Sequence, residues 1–276
     1  MPTLMSTHKS SRSATVAPAH SVPPFPASTL SLPAALGDQL SRLYALVQNS
    51  AHVFGSPLGP FAHEGQSYNL PLFVYFGPHT SEVSVRLAFL GSFDSRDLRP
   101  TLALLHLVED LAREPSIGQS LNLAFYPLVD VLGHHSAVPD RALRAAAWTH
   151  PSPPEINLLA QDAKHRVYHG FVRVETGPAD EVVTLRLRGP RINTNGVELI
   201  TSEETEPFAV RWEGWSGGTV RDGPLSLGDD LAFQPFEVTL QVPGNWLLEN
   251  YRTAVASILK RFIVRYRGFL AYGQHL

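Results

Sequence analysis

The chain contains no cysteine. Disulfides and thiolate metal sites are therefore both excluded, and any metal would have to be held by His, Asp or Glu. Charge is scarce as well: 17% of the 276 residues are charged, and the formal net charge is −3. That balance offers no electrostatic attraction to nucleic acid or to an anionic membrane, so neither is expected as a partner. No apolar run reaches the roughly 18 residues of a membrane span. Residues 1–26 lack the continuous apolar core of a secretion signal, and cytoplasmic residence is the expectation. Also missing are a phosphate-binding Gly-x-x-x-x-Gly-Lys loop, a dinucleotide loop and a Gly-x-Ser-x-Gly nucleophile elbow. There are no internal repeats.

What is present suffices for a large core, with 43% hydrophobic residues. Residues 1–33 are rich in Ser, Pro, Thr and Ala and read as a disordered tail, because they bury too little to offset ordering entropy. Residues 34–276 read as a single α/β domain. A short helix is expected around Leu40, Leu43, Tyr44 and Val47. A β-hairpin is expected over 52–79, turning near His63-Glu64-Gly65-Gln66, with Leu-Pro-Leu-Phe-Val-Tyr-Phe (70–76) as its second strand. Strands then alternate with helices: strand 83–90, helix 101–112, strand 121–126, helix 154–166, and strands 171–175 and 182–188. Ser152-Pro153-Pro154-Glu155 has the form of a capping box. Residues 189–235 read as long loops. Strand 236–242 leads into a closing helix with Asn245 as N-cap and Leu248, Tyr251, Val255, Ile258, Leu259, Phe262 and Tyr266 as its apolar stripe. This alternation implies a central, mostly parallel or mixed sheet with helices on both faces.

The loop after strand 83–90 carries the most informative residues. It opens onto a helix and holds Asp94 and Asp97, spaced i, i+3, where α/β folds place metal or anion sites. Its framing resembles the zinc carboxypeptidases and the related succinylglutamate desuccinylase/aspartoacylase group, in which a strand runs into Gly-x-His-Gly-x-Glu. The resemblance puts Asp94 at the His position and Asp97 at the Glu position of that zinc motif. It continues through Tyr126-Pro127-Leu128-Val129-Asp130-Val131-Leu132-Gly133, similar to a Pro-x-x-Asn-Pro-x-Gly turn. Trp148 and Pro154-Glu155 also fit. Arg144, Ala145 and Ala146 fall where an Asn-Arg pair would grip a substrate carboxylate. Glu175 takes the place of the third zinc ligand, a His, and Gln241 the place of the general-base Glu. The resemblance implies a zinc carboxypeptidase-like fold with its chemical positions replaced.

Each replacement has a consequence. Gln241 has no titratable group and cannot accept the proton of a metal-bound water. Without the two His ligands, the nitrogen donors that favour zinc are gone. No cofactor is therefore expected. The alternative is an all-oxygen trio of Asp94, Asp97 and Glu175 holding one divalent metal, whether Zn²⁺, Mg²⁺, Mn²⁺ or Ca²⁺. Against it stands a plainer use of the same residues: Asp94 or Asp97 caps the next helix, Glu175 sits at a solvated strand end, and Arg96 and Arg173 neutralise the acids. Histidines offer a second metal reading, with His165 and His169 at i, i+4 and His134-His135 in a loop, though helix-end charge compensation explains them as well. Trp212, Trp215 and Trp246 with Tyr251 read as core or pocket-edge material. Two functions of different class follow. One is a non-catalytic homologue that binds a peptide, amino-acid derivative or protein in the remnant pocket; the other is a metal-dependent carboxypeptidase or N-acyl amino acid amidohydrolase with a remodelled site.

Overall fold

A computed structural model describes residues 34–82, 84–135, 143, 153–188, 208, 210–213 and 235–273. The tail expected over 1–33 lies outside the described residues. Helix α1 (Ala34–Gln48) is followed by β1 (Val53–Gly55), β2 (Leu58–His63), β3 (Gln66–Leu70), β4 (Phe73–Phe76) and β5 (Val85–Gly91). Then come α2 (Arg99–Arg113), β6 (Leu121–Tyr126), α3 (Val131–His135), α4 (Pro154–Arg166), β7 (Gly170–Gly177), β8 (Val183–Arg188), β9 (Val210–Glu213), β10 (Phe236–Pro243) and α5 (Leu248–Gly273).

Among the described residues, eight strands form one mixed sheet in the order β1-β4-β6-β5-β7-β10-β8-β9. The four central strands, β6, β5, β7 and β10, run parallel, and β4 and β8 flank them antiparallel. Strand alternation sorts the two faces. On one face Leu87, Phe89, Val172, Val174, Val238 and Leu240 pack against α1, α2 and α5. On the other Ala88, Leu90, Ala124, Tyr126 and Phe171 pack against α3, α4 and the β2–β3 hairpin. Leu104, Leu105, Val108 and Leu111 of α2 are essentially inaccessible, and burying each contributes roughly 2 kcal/mol. The expected α/β fold, with helices on both faces of a mixed sheet, is the one observed.

Connectivity creates the crevice. From β5 the chain crosses through α2 to β6 on one side, then returns through α4 to β7 on the other side of β5. The strand order reverses there, and the carboxyl ends of β5 and β7 diverge with no crossover between them. Open α/β sheets bind ligands at such a point.

Several local expectations are corrected. The run 70–76 is divided: Leu70 ends β3, whereas Phe73–Phe76 leaves the hairpin to pair with β1 and β6. Pro71 lacks the N–H that a continuous strand would need. The hairpin turn itself is as expected, with Glu64 and Gly65 both at positive φ. Helix α4 starts at Pro154 with Pro153 as its N-cap and no side-chain cap bond. Ser152 of the expected capping box lies outside the described residues; Glu155 is fully buried and accepts the Leu132 N–H at 3.2 Å. Asn245 does not cap α5: Leu247 supplies the first helical carbonyl, to Tyr251 N–H at 2.9 Å. Tyr251, Val255, Ile258, Leu259, Phe262 and Tyr266 form the buried stripe of α5, while Leu248 is exposed. No helix among the described residues is long and apolar enough to cross a membrane.

Candidate functional site

Gly91 ends β5 because nothing larger fits: a Cβ there would lie 2.9 Å from both Leu104 Cδ1 and the Pro127 carbonyl. The loop beyond it is held from inside. Ser92 Oγ donates to the Asp97 carbonyl at 2.8 Å and accepts the Thr101 N–H at 3.2 Å. The Thr101 hydroxyl lies 2.7 Å from both Ser92 Oγ and the Pro127 carbonyl. Asp130, wholly inaccessible to solvent, accepts the Ser95 N–H at 3.1 Å and the Gly133 N–H at 2.9 Å. It thereby ties the loop to α3, and sequence reading had seen only the place of an Asn.

The loop then repeats one small device. Asp94 accepts the Arg96 backbone N–H at 3.0 Å and takes its guanidinium in a fork, with Nε at 2.8 Å and Nη2 at 2.6 Å. Asp97 does the same with Arg99: backbone N–H at 3.2 Å, Nε at 2.8 Å and Nη2 at 3.1 Å. The N-cap position of α2 is Leu98, without a side-chain bond, and it is Asp97, one residue before it, that takes the N–H of Arg99, the first helical residue. Two consecutive Asp-x-Arg units thus make two bidentate ion pairs, the stronger form of this contact. Arg99 also donates to the Gly244 carbonyl at 2.6 Å and lies over the Tyr251 ring at 5.7 Å. Its pKa is raised, chiefly by the hydrogen bond to Asp97. Burial raises that of the Tyr251 phenol. Sequence reading missed Arg99, although the repeat Asp-Ser-Arg-Asp-Leu-Arg carries its signal.

On β7 the side chains of Arg173 and Glu175 point to one face, and Glu237 and Gln241 of the adjacent β10 share it. Arg173 pairs with Glu175 and reaches Glu237 Oε1 at 3.5 Å, its guanidinium lying 4.6 Å from the centre of the Phe93 ring. Gln241 donates its amide N–H to Glu175 Oε2 at 3.3 Å. Glu175 is therefore not a freely solvated strand end. The structure brings Asp94, Asp97 and Glu175 to one cavity of about 390 Å³, walled also by Phe93, Leu143 and Arg173. Gln241 adjoins it through Glu175. Arg144, Ala145 and Ala146 lie outside the described residues; of that segment Leu143 is described, buried, with its N–H donating to the Phe93 carbonyl at 2.8 Å.

This donor set does not suit zinc. Each carboxylate already faces a guanidinium, and a dication would meet three like-charged neighbours. No three His, Asp or Glu side chains among the described residues converge as metal ligands. The histidine pairs are used otherwise. His169 has left α4 and flanks β7, its Nδ1 accepting the Arg86 N–H at 3.1 Å, so it shares no helical face with His165. His135 of α3 meets the Tyr68 ring edge-on at 4.8 Å. Trp246 packs on the core and against Phe208, while Trp215 and the side chain of Trp212 lie outside the described residues.

No protein-family model matches the chain. No curated protein matches it either. Solved structures do. A metallo-carboxypeptidase from Burkholderia cenocepacia superposes with a TM-score of 0.58 at 14% identity, covering 84% of this chain and 69% of that one. The metallo-carboxypeptidase from Pseudomonas aeruginosa, in complex with (2-guanidinoethylmercapto)succinic acid, gives 0.59 at 14%, covering 82% and 68%. Bovine thrombin-activatable fibrinolysis inhibitor, in complex with tick carboxypeptidase inhibitor, gives 0.58 at 12%, covering 86% and 97%. At such identities the likeness is one of fold, and the fold is that of the metallo-carboxypeptidases.

Proposed function

We propose that this chain is a non-catalytic protein of the metallo-carboxypeptidase fold, which uses the crevice between β5 and β7 to bind a peptide, an amino-acid derivative or a protein segment. The observation that carries the reading is the pairing of every acid at the resemblance-assigned metal positions: Asp94 with Arg96, Asp97 with Arg99, Glu175 with Arg173. Metal-assisted hydrolysis needs unblocked ligands, an open coordination position and a base for the bound water. The crevice offers guanidinium groups at the first requirement and an amide at the last. Gln241 moreover presents an N–H donor to Glu175, the opposite polarity to a base. The cavity volume falls within the range of small-molecule pockets. Its interleaved arginines and carboxylates suit a ligand carrying both charges, such as an amino acid or a peptide terminus.

Metal analysis of the purified protein, together with assays on N-acyl amino acids and peptide C-termini, tests this. The expected result is zinc well below one per chain and no chelator-sensitive hydrolysis. One tightly held zinc per chain that is lost on Asp94→Ala, or hydrolysis that a chelator abolishes, would overturn it.

A further inference from the structure

A second cavity, of about 360 Å³, lies at the opposite end of the central strands from the crevice. Arg86 and Gly91 stand five residues apart on β5, so the two regions are separated by about 17 Å along the strand. Register builds its floor. Phe76 of β4 pairs with Asn122 of β6, which pairs with Arg86 of β5, and these three side chains form one cross-strand row. The next row on the same face is Val74, Ala124 and Ala88. Its two alanines leave the hollow. The wall is the last turn of α4, with His165 and Arg166, followed by Tyr168.

Two features of this cavity leave bonding or charge unmatched among the described residues. Asn122 Oδ1 is buried and finds no hydrogen-bond partner among them. A buried acceptor left unsatisfied is destabilising, and a ligand donor would relieve it. Arg86 donates to two backbone carbonyls, of Arg166 at 3.0 Å and Glu82 at 2.8 Å, and pairs with no carboxylate among the described residues. Its head is fixed by those bonds while no acid among the described residues compensates its charge. Arg166 is held by Asp162 through Nε, at 2.9 and 3.0 Å. At the rim stand two aromatic rings, Phe54 and Phe76, 46% and 41% exposed and 5.9 Å apart.

We infer that this cavity is a second binding site, for a small organic monoanion with a flat apolar body and an N–H or O–H donor set about one strand spacing from its carboxylate. The carboxylate lies on Arg86 and Arg166, the donor on Asn122 Oδ1, and the apolar body over Ala124 and against Phe76. Preorganised guanidinium groups reduce the ordering cost of capturing the anion.

The probe is 3-hydroxybenzoate, with benzoate as its donor-free partner, titrated into the full chain by calorimetry and heteronuclear NMR. Saturable binding in the millimolar range is expected for a ligand of this size. Benzoate should bind about fivefold more weakly, the worth of one hydrogen bond. Asn122→Ala should erase that preference, and Phe76→Ala should weaken both acids. Absence of saturable binding, or an unchanged preference in Asn122→Ala, overturns the assignment. Should Asn122→Ala fail to fold, Phe76→Ala alters only an exposed ring, and undiminished affinity for both acids in that variant overturns it equally.

Discussion

Replacing Arg173 with methionine should remove about 3 kcal/mol of folding stability, at the lower end of the range for breaking a buried ion pair from one side. The magnitude follows from exposure. The Arg173 side chain is 14% exposed and Glu237 8%, so solvent screens their pairing little, whereas Glu175 is 25% exposed and loses less when its partner goes. Contact with the Phe93 ring contributes about 1 kcal/mol of cation–π attraction, part of which a methionine thioether retains. The remaining loss is that of the ion pairs with Glu175 and Glu237, which solvent screens little. Glu237→Gln should cost less in the Arg173→Met background than in the wild type, because one of the cations its carboxylate faces has gone. Urea unfolding, followed by circular dichroism and by tryptophan fluorescence, reads both effects. With an m-value of about 3 kcal/mol/M, the midpoint of Arg173→Met should fall by about 1 M. A deficit below about 1 kcal/mol would refute the reasoning. So would a double variant less stable than Arg173→Met by the full cost of Glu237→Gln in the wild type.

Two further perturbations probe the frame that carries the crevice. Gly170→Ala puts a Cβ within 2.2–2.5 Å of three atoms of the buried Phe236 ring, so a loss of about 1–3 kcal/mol is expected; a melting temperature equal to that of the wild type would contradict this packing. Burial lowers the pKa values of His134, His135 and His169 in the folded protein. As pH falls through about 6.5 the unfolded chain takes up protons first, so melting temperature should fall on acidification below that value, and a rise between pH 7 and 5.5 would show that these rings do not control the response.

Much of this protein is written locally. Apolar spacing within a few residues marks α2 and the stripe of α5, because a helix buries one side of a short window irrespective of what it packs against. The β2–β3 turn was legible for the same reason: Glu64-Gly65 can adopt the positive φ that a tight hairpin demands. The strand–loop–helix around Asp94 and Asp97 was legible too, and with it the likeness to the carboxypeptidase frame. Nearness in sequence also suggested that Arg96 and Arg173 neutralise the acids, a pairing that requires only residues two apart.

Tertiary structure decided the rest. Leu70 and Phe73 lie three residues apart yet join different sheets, because Phe73–Phe76 finds an unpaired edge of β6 while Leu70 stays with β2. Arg99 reaches Gly244 across 145 residues, and Gln241 meets Glu175 across 66. Asn122, between Phe76 and Arg86, reads in sequence as an ordinary polar residue of a strand. Such juxtapositions depend on which strands lie side by side and in what register, and that is set by the collective packing of two helical layers on the sheet rather than by any short window of the chain. The sequence by itself determined most of the elements, the acids at the end of β5 and the arginine two residues from each; the order of the strands determined that these pairs gather at one crevice, and that a second cavity opens at the far end.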